Sequence, residues 1–338
     1  MKEALLYEKL EDKKVCCNLC NHHCLIDPDK TGICGVRLNR DGILYTLVYG
    51  KVIAENVDPI EKKPLYHFLP GSYSYSIATV GCNFQCSFCQ NFEISQYPRL
   101  YQGRIPGEDI SPNVVVERAL ATNSKSISYT YTEPTIYFEF ALDCAKIASS
   151  KGLKNVFVSN GYMTKEALDL IKPYLHGINV DLKAFKEDFY LKICKAKLKP
   201  VLENLKYLKK LRIWVEITTL IIPGLNDSES ELRDIARFIR DELGPETPWH
   251  ISRFYPQFRM LDRPRTPVET LERAYEIGKE EGLYFIYVGN VPGHDKENTY
   301  CPKCDALLIE RYGFSVLQNR LKDGTCSHCG FEIAGVWS

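Results

Sequence analysis

The chain has 338 residues, 45% of them hydrophobic and 25% charged, as expected of a globular protein of about two domains at roughly 150 residues each. Its 43 basic residues balance 43 acidic ones, so neither nucleic acid nor anionic lipid is attracted in bulk, and the lack of a lysine- or arginine-rich stripe counts against RNA. The opening MKEALLYEKLEDKK is too charged for a signal peptide, and no apolar run nears about 18 residues, which predicts a cytoplasmic protein without a membrane span.

The 14 cysteines fall in groups, and in a long chain without a secretory leader such grouping points to metal rather than disulfides. The first group is Cys17, Cys20, Cys24 and Cys34 in CCNLCNHHCLIDPDKTGICG, with Cys16, His22 and His23 as substitute ligands. This stretch is rich in turn formers and poor in apolar residues, so core burial alone cannot fold it. Zinc is the expected occupant. A β-rich passage over residues 42–58 follows, and PIEKKPLYHFLPG then reads as a rigid connector. Residues 1–72 are thus an amino-terminal Cys-rich module with a β-rich connector.

From residue 73 onward the pattern alternates strand and helix. Strands are predicted at 73–80, 126–133, 154–160, 177–184, 213–222, 249–256 and 284–290. Helices are predicted at 111–123, 135–152, 164–174, 201–210, 228–244 and 267–282, several opening on Ser, Thr or Pro and closing on Gly. Units of this size predict an α/β fold, a parallel sheet with helices outside, as an open sheet or a barrel over residues 73–295. In a barrel the chemistry belongs at the carboxyl ends of the strands. Residues 296–338 read as a small separate module, in which Cys301, Cys304, Cys326 and Cys329 have near-zinc-ribbon spacing. Four thiolates close a tetrahedral shell, so structural zinc is expected, with rubredoxin-like iron as the alternative.

Directly after the first of these strands comes GCNFQCSFCQN, with Cys82, Cys86 and Cys89 spaced C-x3-C-x2-C. A cubane iron–sulfur cluster ordinarily takes four thiolates. Three in one tight loop leave an iron open to substrate; the competing reading is a zinc site completed by a distant ligand. The loop resembles the signature of the radical S-adenosylmethionine (SAM) superfamily, in which an aromatic, here Phe88, precedes the third cysteine. The resemblance covers about residues 73–290. It implies a partial (βα) TIM-like barrel, a [4Fe–4S] cluster, SAM chelated at the open iron, and reductive cleavage to methionine and a 5′-deoxyadenosyl radical.

Further residues are candidates for holding SAM. Period-2 alternation puts Tyr129, Tyr131 and Glu133 on one strand face, and YTEP keeps the Glu of the family's GGE segment without its glycines; the alternative for Glu133 is an ordinary helix N-terminal carboxylate. Asn160 ends the third predicted strand in VSNGY. Asp181 and Lys183 share a face opposite Val180 and Leu182, as SAM or substrate contacts or as a structural ion pair at the rim. His250 and Arg253 fall in the sixth predicted strand, where a hydrogen-bonded structural His is the expected role. LIIPGLND and DLKAF resemble segments of pyruvate formate-lyase activating enzymes. Along nearly the whole chain, DPIEKKPLYHFLPG, YVGNVPGHDKENTYCPKC and GFEIAGVWS resemble the AmmeMemoRadiSam-system enzymes. That resemblance implies Memo-type and AMMECR-type protein partners, while the likeness to glycyl-radical activating enzymes implies a protein substrate, a flavodoxin or ferredoxin as electron donor, and a second iron–sulfur cluster as the alternative to zinc at the amino-terminal cysteines. Action on a small molecule or RNA, or a non-catalytic metal-binding adaptor, are the competing functions.

Overall fold

The computed structural model describes residues 1–338. Eight strands form the main sheet: β1 (Ala54–Pro59), β2 (Tyr73–Ala78), β3 (Ser126–Tyr129), β4 (Lys154–Ser159), β5 (Gly177–Asp181), β6 (Trp214–Ile221), β7 (Trp249–Arg253) and β8 (Ile286–Gly289). They lie in chain order across the sheet, β1 antiparallel to β2 and every later pair parallel. The seven expected parallel strands form, and the β-rich connector adds an antiparallel edge. β1 and β8 do not pair, so the sheet is mixed and open rather than a closed barrel.

Six helices connect the parallel strands: α1 (Pro112–Ala121), α2 (Phe138–Ser150), α3 (Lys165–Ile171), α4 (Leu198–Lys210), α5 (Glu229–Phe238) and α6 (Val268–Glu280). Ser111 and Thr164 cap α1 and α3 by accepting from the N–H groups of Val114 and Ala167, the reason such residues mark helix starts. No helix is long and apolar enough to cross a membrane.

Strand alternation divides the sheet into unlike faces. One face carries Ile127, Phe157, Ile178, Ile217, Ile251 and Val288, which join the main apolar core with the helices. By register the other face carries Ser74, Ser128, Asn179, Glu216, His250 and Tyr287. The connector crosses this polar face: Pro64 O accepts from Asn179 at 2.8 Å, and a Cβ on Gly177 would sit 2.9 Å from the Phe68 ring. The carboxyl-terminal residues hold the connector in place, Val336 donating to His67 O and accepting from Leu69 N–H, both at 2.7 Å. Cys301, Leu308, Ile309 and Ile333 of the tail share an apolar cluster with Tyr66, Phe285 and Tyr287.

A directed hydrogen-bond chain runs through this floor. Arg311 donates to Thr299, Thr299 to Tyr287, and Tyr287 to His67 Nε2 at 2.6 Å, while His67 Nδ1 donates to Ala334 O at 2.8 Å. That tautomer requires neutral imidazole. Burial pushes His67 down to about 4 from its usual 6.5, against the pull of Glu216. The unfolded state therefore binds the extra proton first, so the contribution of neutral His67 is whole above pH 6.5 and is lost as pH falls toward 4, about 3 kcal/mol in all. Urea unfolding of His67→Phe should show a flatter stability curve across that window; parallel curves for variant and wild type would refute this.

The first turn of the amino-terminal module uses three short antiparallel strands, Tyr7–Lys9, Val15–Cys17 and Cys24–Ile26. Arg37, from the following strand Arg37–Arg40, forms a fully buried ion pair with Glu139 of α2 at 3.0 Å. This pair ties the module to the main domain.

Candidate active site

The signature loop leaves the carboxyl end of β2 and turns sharply at Gly81, whose φ is +102°. A Cβ there would lie 2.7 Å from Val36 Cγ1 and 3.2 Å from Cys34 O, so glycine is required both by the backbone and by the adjoining module. The loop's own backbone is held from outside. Gln85 N–H donates to Cys194 O at 3.0 Å, Ser87 N–H donates to Ile193 O at 3.2 Å, and Ser87 O accepts from Arg259 N–H at 3.0 Å. The Arg99 guanidinium donates to Cys82 O at 2.7 Å and Phe84 O at 3.3 Å, and also to Ile33 O of the amino-terminal module.

The thiols themselves are differently surrounded. Cys82 Sγ accepts from Phe84 N–H at 3.3 Å, and Cys89 Sγ lies 3.2 Å from Ser95 Oγ. Cys86 is the most buried, 7% exposed, and faces Cys194, whose contact together with burial pushes its thiol well up while Lys183 opposes. Burial and the nearby Glu133 carboxylate push Cys82 well up as well. Thiols this costly to ionise alone are suited to a metal centre that takes them as thiolates. They are not drawn together within 4.8 Å, as a single ion would require, and Ser87 Oγ is buried with no hydrogen-bond partner. Both features fit a multi-iron cluster with sulfides to accept that hydroxyl.

The residues singled out for SAM gather around this loop from three strand ends. Asn160 Nδ2 donates to Asn83 Oδ1 at 2.7 Å and lies 4.0 Å from Cys82 Sγ. Lys183 pairs with Asp181 at 2.9 Å and lies 5.6 Å from the Phe88 ring centroid. Burial opposes the Lys183 charge, but Asp181 and the Cys86 and Cys194 thiols hold its ammonium well above the usual lysine range. It is a fixed positive charge beside Cys86.

Glu133 differs from its expected placement. β3 stops at Tyr129, which lies on the helix-facing side with its hydroxyl on Asn155. The chain then turns through Tyr131 at φ +62°, so period 2 does not carry to Glu133 and the three residues do not share a strand face. Tyr131 instead reaches Asp58 and Asn56, and Asp58 also pairs with buried Lys63 at 2.6 Å. Glu133 caps the short 3-10 turn Pro134–Tyr137. Its carboxylate accepts from Thr135 N–H and Oγ1, Ser159 Oγ and Asn160 N–H. Burial raises its pKa despite these four donors.

His250 and Arg253 are not brought to the thiols: His250 donates to Glu216 at 2.7 Å, and Arg253 donates to Thr266 O at 2.7 Å. Sequence reasoning missed Cys194, Arg99, Ser95 and Asn83. Cys194 was a leftover cysteine far from any spacing motif, and nothing local to Arg99 marks its three carbonyl partners.

The tail's four thiols all lie within 4.8 Å of one another and form a group able to hold a metal ion. The separation is 3.6 Å for Cys301–Cys329 and 3.7 Å for Cys304–Cys326.

Residues 76–239 match the Radical SAM superfamily. The chain is 50% identical over 335 residues to an uncharacterized protein of Methanocaldococcus jannaschii, covering 98% of this chain and 99% of that one. It is 21% identical over 167 residues to the pyruvate formate-lyase-activating enzyme of Clostridium pasteurianum, covering 48% of this chain and 67% of the relative. Among solved structures, Streptococcus suis SuiB bound to S-adenosylmethionine shares the fold, with a TM-score of 0.51 and 13% identity over 68% of this chain and 53% of that chain. With this loop, this sheet and these relatives, residues 76–239 are a Radical SAM superfamily domain, and glycyl-radical activating enzymes are among the chain's relatives.

Proposed function

We propose that the chain cleaves SAM reductively and uses the resulting radical to abstract hydrogen from a protein substrate. The observation that carries the reading is the signature loop, three thiols at the carboxyl end of β2, one short of the four a cubane takes. Cys82, Cys86 and Cys89 would hold a [4Fe–4S] cluster. When bound, the cluster would chelate SAM at its open iron and supply the one electron that breaks the sulfonium bond, leaving methionine and a 5′-deoxyadenosyl radical.

The chain's own residues prepare the place for that chemistry. Lys183, fixed by Asp181, offsets negative charge at Cys86. Phe88 walls the loop from the Phe189 side. Asn160 offers its amide beside Cys82, and Glu133 is a positioning residue, since its four donors join the ends of β3 and β4 and orient Asn160. A polypeptide substrate is supported by the name of the Clostridium pasteurianum relative. The DPIEKKPLYHFLPG string supports the narrower AmmeMemoRadiSam group, with Memo-type or AMMECR-type partners and a flavodoxin or ferredoxin as donor. The test is anaerobic reconstitution with iron and sulfide, then dithionite and SAM, with 5′-deoxyadenosine and methionine quantified. A fully loaded protein that makes neither product, alone or with candidate protein partners, overturns the reading.

For the tail we propose structural zinc. Zn–S bonds of about 2.3 Å in a tetrahedron separate sulfurs by about 3.8 Å, close to the 3.6 and 3.7 Å seen here. Cys301→Ala should lower bound zinc by about one per chain and make residues 298–338 protease-sensitive, because metal binding at such sites is folding free energy. A variant that kept both its zinc and its protease resistance would defeat the assignment.

A further inference from the structure

The amino-terminal cysteines differ from those of the tail. Cys17, Cys20, Cys24 and Cys34 all line one cavity, together with apolar side chains such as Leu19, Ile26 and Ile136 and the polar Arg37 and Asn83. Cys17 and Cys24 face each other across a strand pair. Cys16 and His23, the proposed substitutes, are turned to Asn18 instead. Although the four thiols share this cavity, no three of them lie within 4.8 Å of one another, whereas the tail's four do. A tetrahedral zinc needs sulfurs about 3.8 Å apart; a cubane carries its thiolates on separate corners and needs a wider set. The thiols of the signature loop likewise form no such compact group.

Two buried donors on the wall of this cavity lack partners. Arg37 Nε and Asn83 Nδ2 have no hydrogen-bond acceptor, though both residues line the cavity and are at most 2% exposed. Buried orphans are rare and require a cause. Inorganic sulfides and thiolates are acceptors for such N–H groups and would satisfy both.

The cavity also adjoins the signature loop. Asn83, part of its wall, follows Cys82 directly and has its Oδ1 3.8 Å from Cys82 Sγ. His22, also lining it, bonds Asn83 O through Nε2 at 2.8 Å. Arg99 grips Ile33 O on one side and Cys82 O on the other.

We propose that Cys17, Cys20, Cys24 and Cys34 hold a second iron–sulfur cluster, not zinc, which relays single electrons to the signature loop. With both centres loaded, a low-potential one-electron donor such as reduced flavodoxin would lose one electron to the amino-terminal centre, and the signature loop would receive that electron for SAM cleavage. The relay rests on the proposed SAM chemistry; the cluster itself does not.

The first test is a Cys82→Ala/Cys86→Ala/Cys89→Ala variant reconstituted anaerobically with ferrous iron and sulfide, assayed for iron, sulfide and zinc and by Mössbauer and electron paramagnetic resonance spectroscopy. The expected result is about four iron and four sulfide per chain, against about eight of each in wild type, with a half-integer-spin signal after dithionite. Zinc or no metal at the amino-terminal site overturns the proposal. This readout stands even if the wild-type protein fails to cleave SAM, so the two failures are distinguishable. The second test is Cys17→Ser/Cys34→Ser. It should lose about half the iron, and flavodoxin-driven cleavage should fall severalfold more than dithionite-driven cleavage; equal falls overturn the relay.

Discussion

Cys86→Ala abolishes formation of 5′-deoxyadenosine, to the level of a protein-free control, in anaerobic assays with dithionite and SAM. Removing one of three thiolates leaves too few ligands to hold a cluster with a single open iron. Cys86 is also the deepest of the three and sits beside the half-buried Lys183 charge, so its loss leaves that ammonium next to a void rather than a thiolate. Cys194 lies within reach of the same wall and is the one candidate for a replacement ligand. Its backbone argues against rescue: Cys194 O is engaged by Gln85 N–H, and the turn ends at Lys195 with φ +59°. Product from Cys86→Ala that disappears in Cys86→Ala/Cys194→Ala would show that Cys194 substitutes. Product that persists in the double variant would remove the signature loop from the chemistry.

Glu216→Ala destabilises the protein by about 3–5 kcal/mol, a large share of the roughly 5–15 kcal/mol that holds a typical domain. The carboxylate is fully buried and accepts four hydrogen bonds: Tyr66 N–H at 2.9 Å, His67 N–H at 2.8 Å, Trp214 Nε1 at 3.0 Å and His250 Nε2 at 2.7 Å. Alanine orphans donors from the connector and from two strands. Glu216→Gln should recover only part of the loss, because its amide turns two N–H groups toward two N–H donors. Urea midpoints measure both effects; a shift below about 1 kcal/mol for alanine would mean the connector repacks. Burial opposes the charge of Glu216, but His250 and its other partners hold the carboxyl below the usual 4.5. A depressed carboxyl stabilises the fold above the unfolded value, and that stability is lost as pH falls below about 4.5. Glu216→Gln should remove this acid-side slope, which begins at about pH 4.5, near the acid end of the His67 window.

Much of the architecture was readable because it is local. Apolar period, caps such as Ser111 and Thr164, and closing glycines report on a few successive residues, and all six helices and seven parallel strands formed where they pointed. The eighth strand, Ala54–Pro59, was hidden within a β-rich connector because its partner is chosen by pairing with β2, not by its own residues. The left-handed turn at Tyr131 was hidden too. Tyrosine gives no signal for positive φ, and here the residue is anchored by Asp58, 73 positions away.

The sequence by itself determined where the thiols are, since C-x3-C-x2-C and C-x2-C spacings lie within a turn or two of backbone. It also determined the alternating α/β plan, because burial period is written into neighbouring residues. Only the tertiary structure decided how far apart those thiols stand, and so separated the compact tail group from the wider amino-terminal set. It alone placed Cys194, Arg99 and Glu139 against partners 66 to 108 residues away, since Cys194 meets Cys86, Arg99 meets Ile33 and Glu139 meets Arg37. Such contacts arise from how packed elements meet, and no local pattern of residue types encodes that distance.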